Sequence, residues 1–155
     1  MKRIFLTALA MGVIQAACGT DHRTSAVSSP NQTNRMKIRL KVDGNDLTAT
    51  LIDSQTSRDF ISLLPLTLTL NDLFGREKFA HLPRGLSEGG RRIHTYEVGE
   101  VAYWSPSHDV AIFYRHDGPE IPDPGLIVIG KIDSGVEALN VPGSVKVTVE
   151  PAGKP

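Results

Sequence analysis

The chain has one cysteine, Cys18, one tryptophan, Trp104, and no net formal charge across its 155 residues. A lone thiol makes no internal disulfide and no cysteine-rich zinc site. With 17 basic residues set against 17 acidic ones, nothing in the balance asks for nucleic acid or an acidic membrane surface as a partner. No apolar run reaches the roughly 18 to 20 residues that a spanning helix needs. No internal repeat is present. Gly85, Gly89 and Gly90 come in no phosphate-cradling order before a helix, so nucleotide binding is unsupported. His108-Asp109 and His116-Asp117 repeat a possible ligand pair, but their spacing matches no metal signature, so they read as solvated loop residues and no metal or cofactor is expected.

What is present begins with a leader. Met1-Lys2-Arg3 is positive, Ile4 to Ile14 is apolar, and small residues follow in Ala16-Ala17-Cys18-Gly19. That is the layout of a secretory signal. Cys18 stands where a lipoprotein signal places its lipidated cysteine, although Gln15 occupies the position that usually holds Leu. Cleavage nearby by an ordinary signal peptidase, leaving a free thiol, is the alternative. The expectation is an exported protein, lipid-anchored at a bacterial cell envelope or otherwise periplasmic or secreted. Its contact with membrane would be through that anchor alone. Losing Lys2 and Arg3 with the leader takes the mature chain to about −2. Thr20 to Arg35 is polar, contains Pro30 and has no apolar period. It reads as a flexible tether. The layout is therefore signal over 1–18, linker over 19–35, one domain over 36–150 and a tail over 151–155.

From Met36 the pattern turns to strands. Met36, Ile38, Leu40 and Val42 alternate with charged residues, Asp43-Gly44-Asn45-Asp46 is turn chemistry, and Leu47 to Leu51 returns as the paired strand. Further strands are expected at Leu66–Leu70, Val101–Trp104, Val110–Tyr114, Leu126–Ile129 and Val145–Val149. Short helices are expected over Thr56–Leu64, with Asp59 placed for a capping box on Thr56, and over Ser134–Leu139. Asn71 to Arg92, with its glycines and Pro83, reads as mixed and mostly irregular. Many short strands and two short helices argue for a closed barrel, which pairs every sheet edge.

Several stretches carry a resemblance. Arg58-Asp59-Phe60 leads into Leu63-Leu64-Pro65-Leu66-Thr67-Leu68, followed by Glu77-Lys78 and Leu82-Pro83-Arg84. Gly99 to Tyr103, Ile112 to Arg115 and Gly130 to Gly135 agree as well. From about Met36 to Glu150 the chain resembles the bacterial cyclophilin-like proteins, a branch distinct from the standard cyclophilins. The resemblance implies a mainly β fold, an eight-stranded barrel plugged at its ends by two short helices. Standard cyclophilins are prolyl isomerases, thought to polarise the proline amide with an arginine carried on a Phe-His-Arg strand. No Phe-His-Arg occurs here, and Ala111-Ile112-Phe113 stands in place of their Gln-Phe-Phe. The fold carries over and the chemistry does not, so no catalytic residue is expected.

Alternation puts Val110, Ile112 and Tyr114 inside the barrel and Ala111, Phe113 and Arg115 outside. Trp104, Phe113 and Arg115 then form a candidate groove, with Glu77 and Arg84 as charged residues that line it or else pair with each other or with Arg58. Either that face is open, or the Asn71–Arg92 segment covers it and buries the rings. The functional expectation is a non-catalytic module at the cell envelope for a peptide or small molecule. A weak peptidyl-prolyl isomerase is the alternative.

Overall fold

The structure, a computed structural model, describes residues 36–116 and 118–153. The leader, Cys18 and the tether lie outside the described residues. The chain forms β1 (Lys37–Val42), β2 (Asn45–Leu51), α1 (Gln55–Ile61), β3 (Leu66–Leu73), β4 (Glu77–His81), β5 (Arg92–Ile93), β6 (Glu100–Trp104), β7 (Asp109–Phe113), β8 (Leu126–Ser134) and β9 (Val145–Pro151). Hydrogen bonding runs β2-β1-β9-β3-β4-β7-β6-β8, and β8 pairs back onto β2. The result is a closed eight-stranded antiparallel barrel. The two residues of β5 extend the β2 side of β8, opposite Ile127 and Leu126.

Period-two patterning decides which side chains fill the barrel. Ile38, Leu40 and Val42 of β1, Leu68 and Leu70 of β3, Val110 and Ile112 of β7 and Val145, Val147 and Val149 of β9 share one buried core. Helix α1 closes one end with Phe60, which is 2% exposed. Ser54 caps the helix by accepting from the Ser57 amide. Asp59 forms no capping box with Thr56; it turns outward and accepts from the Ser87 amide and hydroxyl. The second plug is one 3-10 turn, Val136–Leu139, holding Leu139 fully buried. Gly130 lets β8 approach β2 closely, since a Cβ there would meet the Thr50 carbonyl at 2.8 Å.

One strand arises where the sequence reads as irregular. In β4, Lys78 points inward and is fully buried, while Phe79 faces out. The Lys78 ammonium donates to Asp72 Oδ2 at 2.8 Å and to the Val141 and Gly143 carbonyls at 2.6 Å each. Tyr114 donates to the same Asp72 oxygen at 2.5 Å. Burial pushes the Asp72 carboxyl up, but the bonds from Lys78, Tyr114 and the Gly75 amide, with the Lys78 charge, outweigh it and hold the group below its usual range. All three ammonium protons are satisfied, which is the condition for burying a lysine.

Candidate functional site

The outer face of β4, β7 and β6 carries a second, smaller apolar cluster. Ala111 and Ala102 are direct partners across β7 and β6, and Phe79 sits opposite Ala111 on β4. The Ala111 methyl, set among larger neighbours, leaves a hollow in the sheet surface. Phe79, Trp104, Leu126, Ile121, Pro122, Leu73 and Phe74 wall it, and Ala111 floors it. Its volume is about 260 Å³, just under the ~300 Å³ at which pockets for drug-sized ligands begin. One or two amino-acid side chains fit such a space.

Charges stand at its two ends. At one, Arg76 and Glu77 are buried together, Nη2 to Oε1 3.7 Å. The Arg76 guanidinium also donates to the Pro119 carbonyl and lies 5.3 Å from the ring centres of both Phe74 and Tyr96. Its Nε is buried without a hydrogen bond. Burial pushes the Glu77 carboxyl up to about 7, against the pull of the Arg76 charge and hydrogen bond. At the other end Asp109, opposite Trp104, is 8% exposed. Ser107 donates to one of its oxygens at 2.5 Å. The other faces the ring of His81, an ion pair only when the imidazole is protonated. The His81 Nδ1 also faces the Ser107 carbonyl at 3.2 Å. That nitrogen is thus shared between the Ser107 carbonyl and Asp109 Oδ1, so the second Asp109 oxygen meets an imidazole and no stronger donor.

The rim carries an anomaly. Phe74 and Gly75 turn β3 into β4, with φ of 56° and 64°, and Arg76 N closes the turn on the Leu73 carbonyl at 3.2 Å. Both central residues of such a turn are left-handed, the setting that favours Asn-Gly or Asp-Gly. Phe74 is instead a bulky side chain in an unfavourable backbone region, and it is 66% exposed. Exposure and backbone strain thus fall together on one aromatic residue at the lip of an apolar hollow.

The residues singled out from the sequence divide. Trp104 and Glu77 line the cleft, and Glu77 lies on β4 rather than on a loop. Phe113 faces outward on β7 as alternation requires, but it is fully buried under Tyr96, whose ring stacks on it at 4.0 Å. The cover therefore comes from the segment before β6, not from Asn71–Arg92. Arg115 is exposed past the end of β7, its amide on the Arg76 carbonyl. Arg84 is remote from Glu77 and donates to Ser62 Oγ at the end of α1. Arg58 pairs with Asp53.

Phe74, Phe79 and Arg76 are absent from the sequence-derived set, and Asp109, read from the sequence as a solvated loop residue, is buried at the start of β7 because it faces Trp104 and His81 across the sheet. The one local signal for them was an aromatic residue directly before a turn glycine. The run Gly85-Leu86-Ser87-Glu88-Gly89 also spells the Gly-x-Ser-x-Gly pattern of serine hydrolases. It lies between β4 and β5 rather than at a strand-to-helix turn, and Ser87 Oγ donates to Asp59 Oδ2 at 2.5 Å. The described residues contain no group of three or more His, Cys, Asp or Glu side chains able to hold a metal ion. A shallower recess of about 310 Å³ lies nearby, between His94, Tyr96, His116 and Glu120.

The model of the cyclophilin-like family matches residues 40–150, well over half of the chain. The chain belongs to the cyclophilin-like family. A hypothetical protein from Archaeoglobus fulgidus, whose solution structure is known, has the same fold. It matches with a TM-score of 0.61 and 24% sequence identity, over 76% of this chain and 95% of its own. No curated protein matches the chain.

Proposed function

We propose that this cyclophilin-like domain is an exported, non-catalytic binding module whose outer-face cleft takes a small ligand, or one or two side chains of a bound peptide. The observation that carries the reading is Phe74, a strained, solvent-exposed ring at the rim of an apolar hollow floored by Ala111. The non-catalytic part is supported by the arginines. Prolyl isomerisation has a barrier of about 18–20 kcal/mol set by amide conjugation, and lowering it by electrostatics needs a cation aimed at the reacting amide. Arg76, the cation that lines the cleft, is 3% exposed and already faces Glu77 and Pro119. Arg84 is held at α1. The export part rests on the leader and Cys18.

The chain's single tryptophan reports directly on the cleft. In the domain 36–155, 2-phenylethanol is expected to change Trp104 fluorescence saturably, and a coupled assay on an Xaa–Pro peptide is expected to stay at the uncatalysed rate. A linear, non-saturating fluorescence response counts against the binding reading. Acceleration well above background that is lost in Arg115→Ala establishes the isomerase instead.

A further inference from the structure

We propose that the cleft is selective for organic cations: an ammonium or guanidinium group seated between Asp109 and Trp104, its apolar body running over Ala111 toward Leu126 and Ile121. The inference rests on the cleft being a binding site and names the ligand chemistry. Two acidic side chains, Glu77 and Asp109, line the cleft against one basic side chain, Arg76. The Arg76 guanidinium already faces a carbonyl, a carboxyl and two aromatic rings, and only its Nε lacks a hydrogen bond. Among the described residues Asp109 faces only a hydroxyl and an imidazole. One of its oxygens is satisfied by Ser107, and the other is buried with only the largely exposed His81 ring before it.

A buried carboxylate whose second oxygen meets only an imidazole is met more strongly by a ligand that brings a charged donor. Trp104 stands directly across the strand pair from Asp109, and Phe79 packs edge-on to His81 at 6.5 Å. Tryptophan is the side chain that attracts cations best through its ring. Acid, indole and phenyl ring thus converge on one end of an apolar hollow. An anion would meet Asp109 with no free cation to offset it.

The test uses three probes with one apolar body and different heads: 2-phenylethylamine, 2-phenylethanol and 3-phenylpropanoate. Each is titrated against Trp104 fluorescence at pH 8. The amine is expected to bind about tenfold tighter than the alcohol, and the carboxylate weakest. Asp109→Asn keeps the Ser107 contact and is expected to erase the tenfold preference of amine over alcohol. Should Asp109→Asn fail to fold, His81→Ala replaces it and is expected to strengthen amine binding by clearing the competing ring. A parallel titration with acetyl-Phe-Arg-amide and acetyl-Phe-Gln-amide tells a peptide side chain from a free amine as the source of the cation. Preference for the arginine peptide over 2-phenylethylamine assigns the site to peptides. Equal affinity of amine and alcohol, or a preference for the carboxylate, overturns cation selectivity while the cleft remains a binding site. Saturable binding by none of the probes overturns both.

Discussion

Tyr96 stacks on Phe113 with ring centres 4.0 Å apart and planes 20° from parallel. That contact divides the outer face of the barrel. On one side Phe113 is sealed, and on the other Trp104 and Phe79 remain half-buried around the cleft. Removing Tyr96 should unseal Phe113. Tyr96→Ala is expected to cost about 3 kcal/mol of stability, from lost ring burial and stacking. Urea unfolding measures it, and a loss below about 1 kcal/mol would mean the ring is not a structural cover.

Phe74 should behave in the opposite way. Asn suits the left-handed turn position better, so Phe74→Asn is expected to stabilise the domain by about 1 kcal/mol. The same change removes a wall of the cleft and is expected to weaken probe binding severalfold. Paired melting and Trp104 titration check both halves. A variant that loses stability and keeps its affinity contradicts the role given to Phe74.

Lys78 is a structural residue. Lys78→Met leaves the Val141 and Gly143 carbonyls without their donor and Asp72 without its cation. Removing one partner of a buried charge pair typically costs about 3–5 kcal/mol. Denaturant unfolding should place the loss near the lower figure, because Tyr114 and the Gly75 amide still donate to Asp72. A neutral result would mean that Lys78 is not the staple between β4 and the Val141–Gly143 loop.

The pattern of what the sequence made legible follows from these residues. Alternation places Val110 and Ile112 inside and Ala111 and Phe113 outside, and the structure agrees. Such period-two runs are reliable because one buried face fixes the register. Strand β4 was hidden because Lys78 faces in and Phe79 faces out, reversing the usual polarity. The cleft was hidden for a related reason. Its floor is one alanine, Ala111, set between larger neighbours by strand register, and its lip is a turn that reads as irregular. Tyr96 lies outside any periodic run, so its stacking on Phe113 had no signature in the chain.

Glu77 gives the stability a pH dependence. Its carboxyl titrates at about 7 in the fold against an ordinary value of 4.5. A raised carboxyl favours the fold in its protonated form, so this contribution is fully present below 4.5 and is lost as pH rises through about 7. Between pH 5 and 8 the melting temperature of the native chain should fall relative to that of Glu77→Gln, which does not titrate. Parallel curves for the two proteins contradict the assignment.

Cys18 is expected to form the lipidated N-terminus of the mature protein. Mass spectrometry of protein from its native host decides the matter. A diacylated or triacylated Cys18 is the predicted species. An unmodified thiol, or a mature chain that starts elsewhere, removes the anchor and leaves only soluble export.

The most direct measurement is chemical-shift mapping of the ¹⁵N- and methyl-labelled domain during titration with 2-phenylethylamine. Saturable shifts should concentrate on the Trp104 indole N–H, the Ala111 methyl and the Phe74 and Phe79 amides, and should fade in Asp109→Asn. Shifts centred instead on the recess of His94, His116 and Glu120, or spread evenly over the barrel, would contradict the cleft as the binding site.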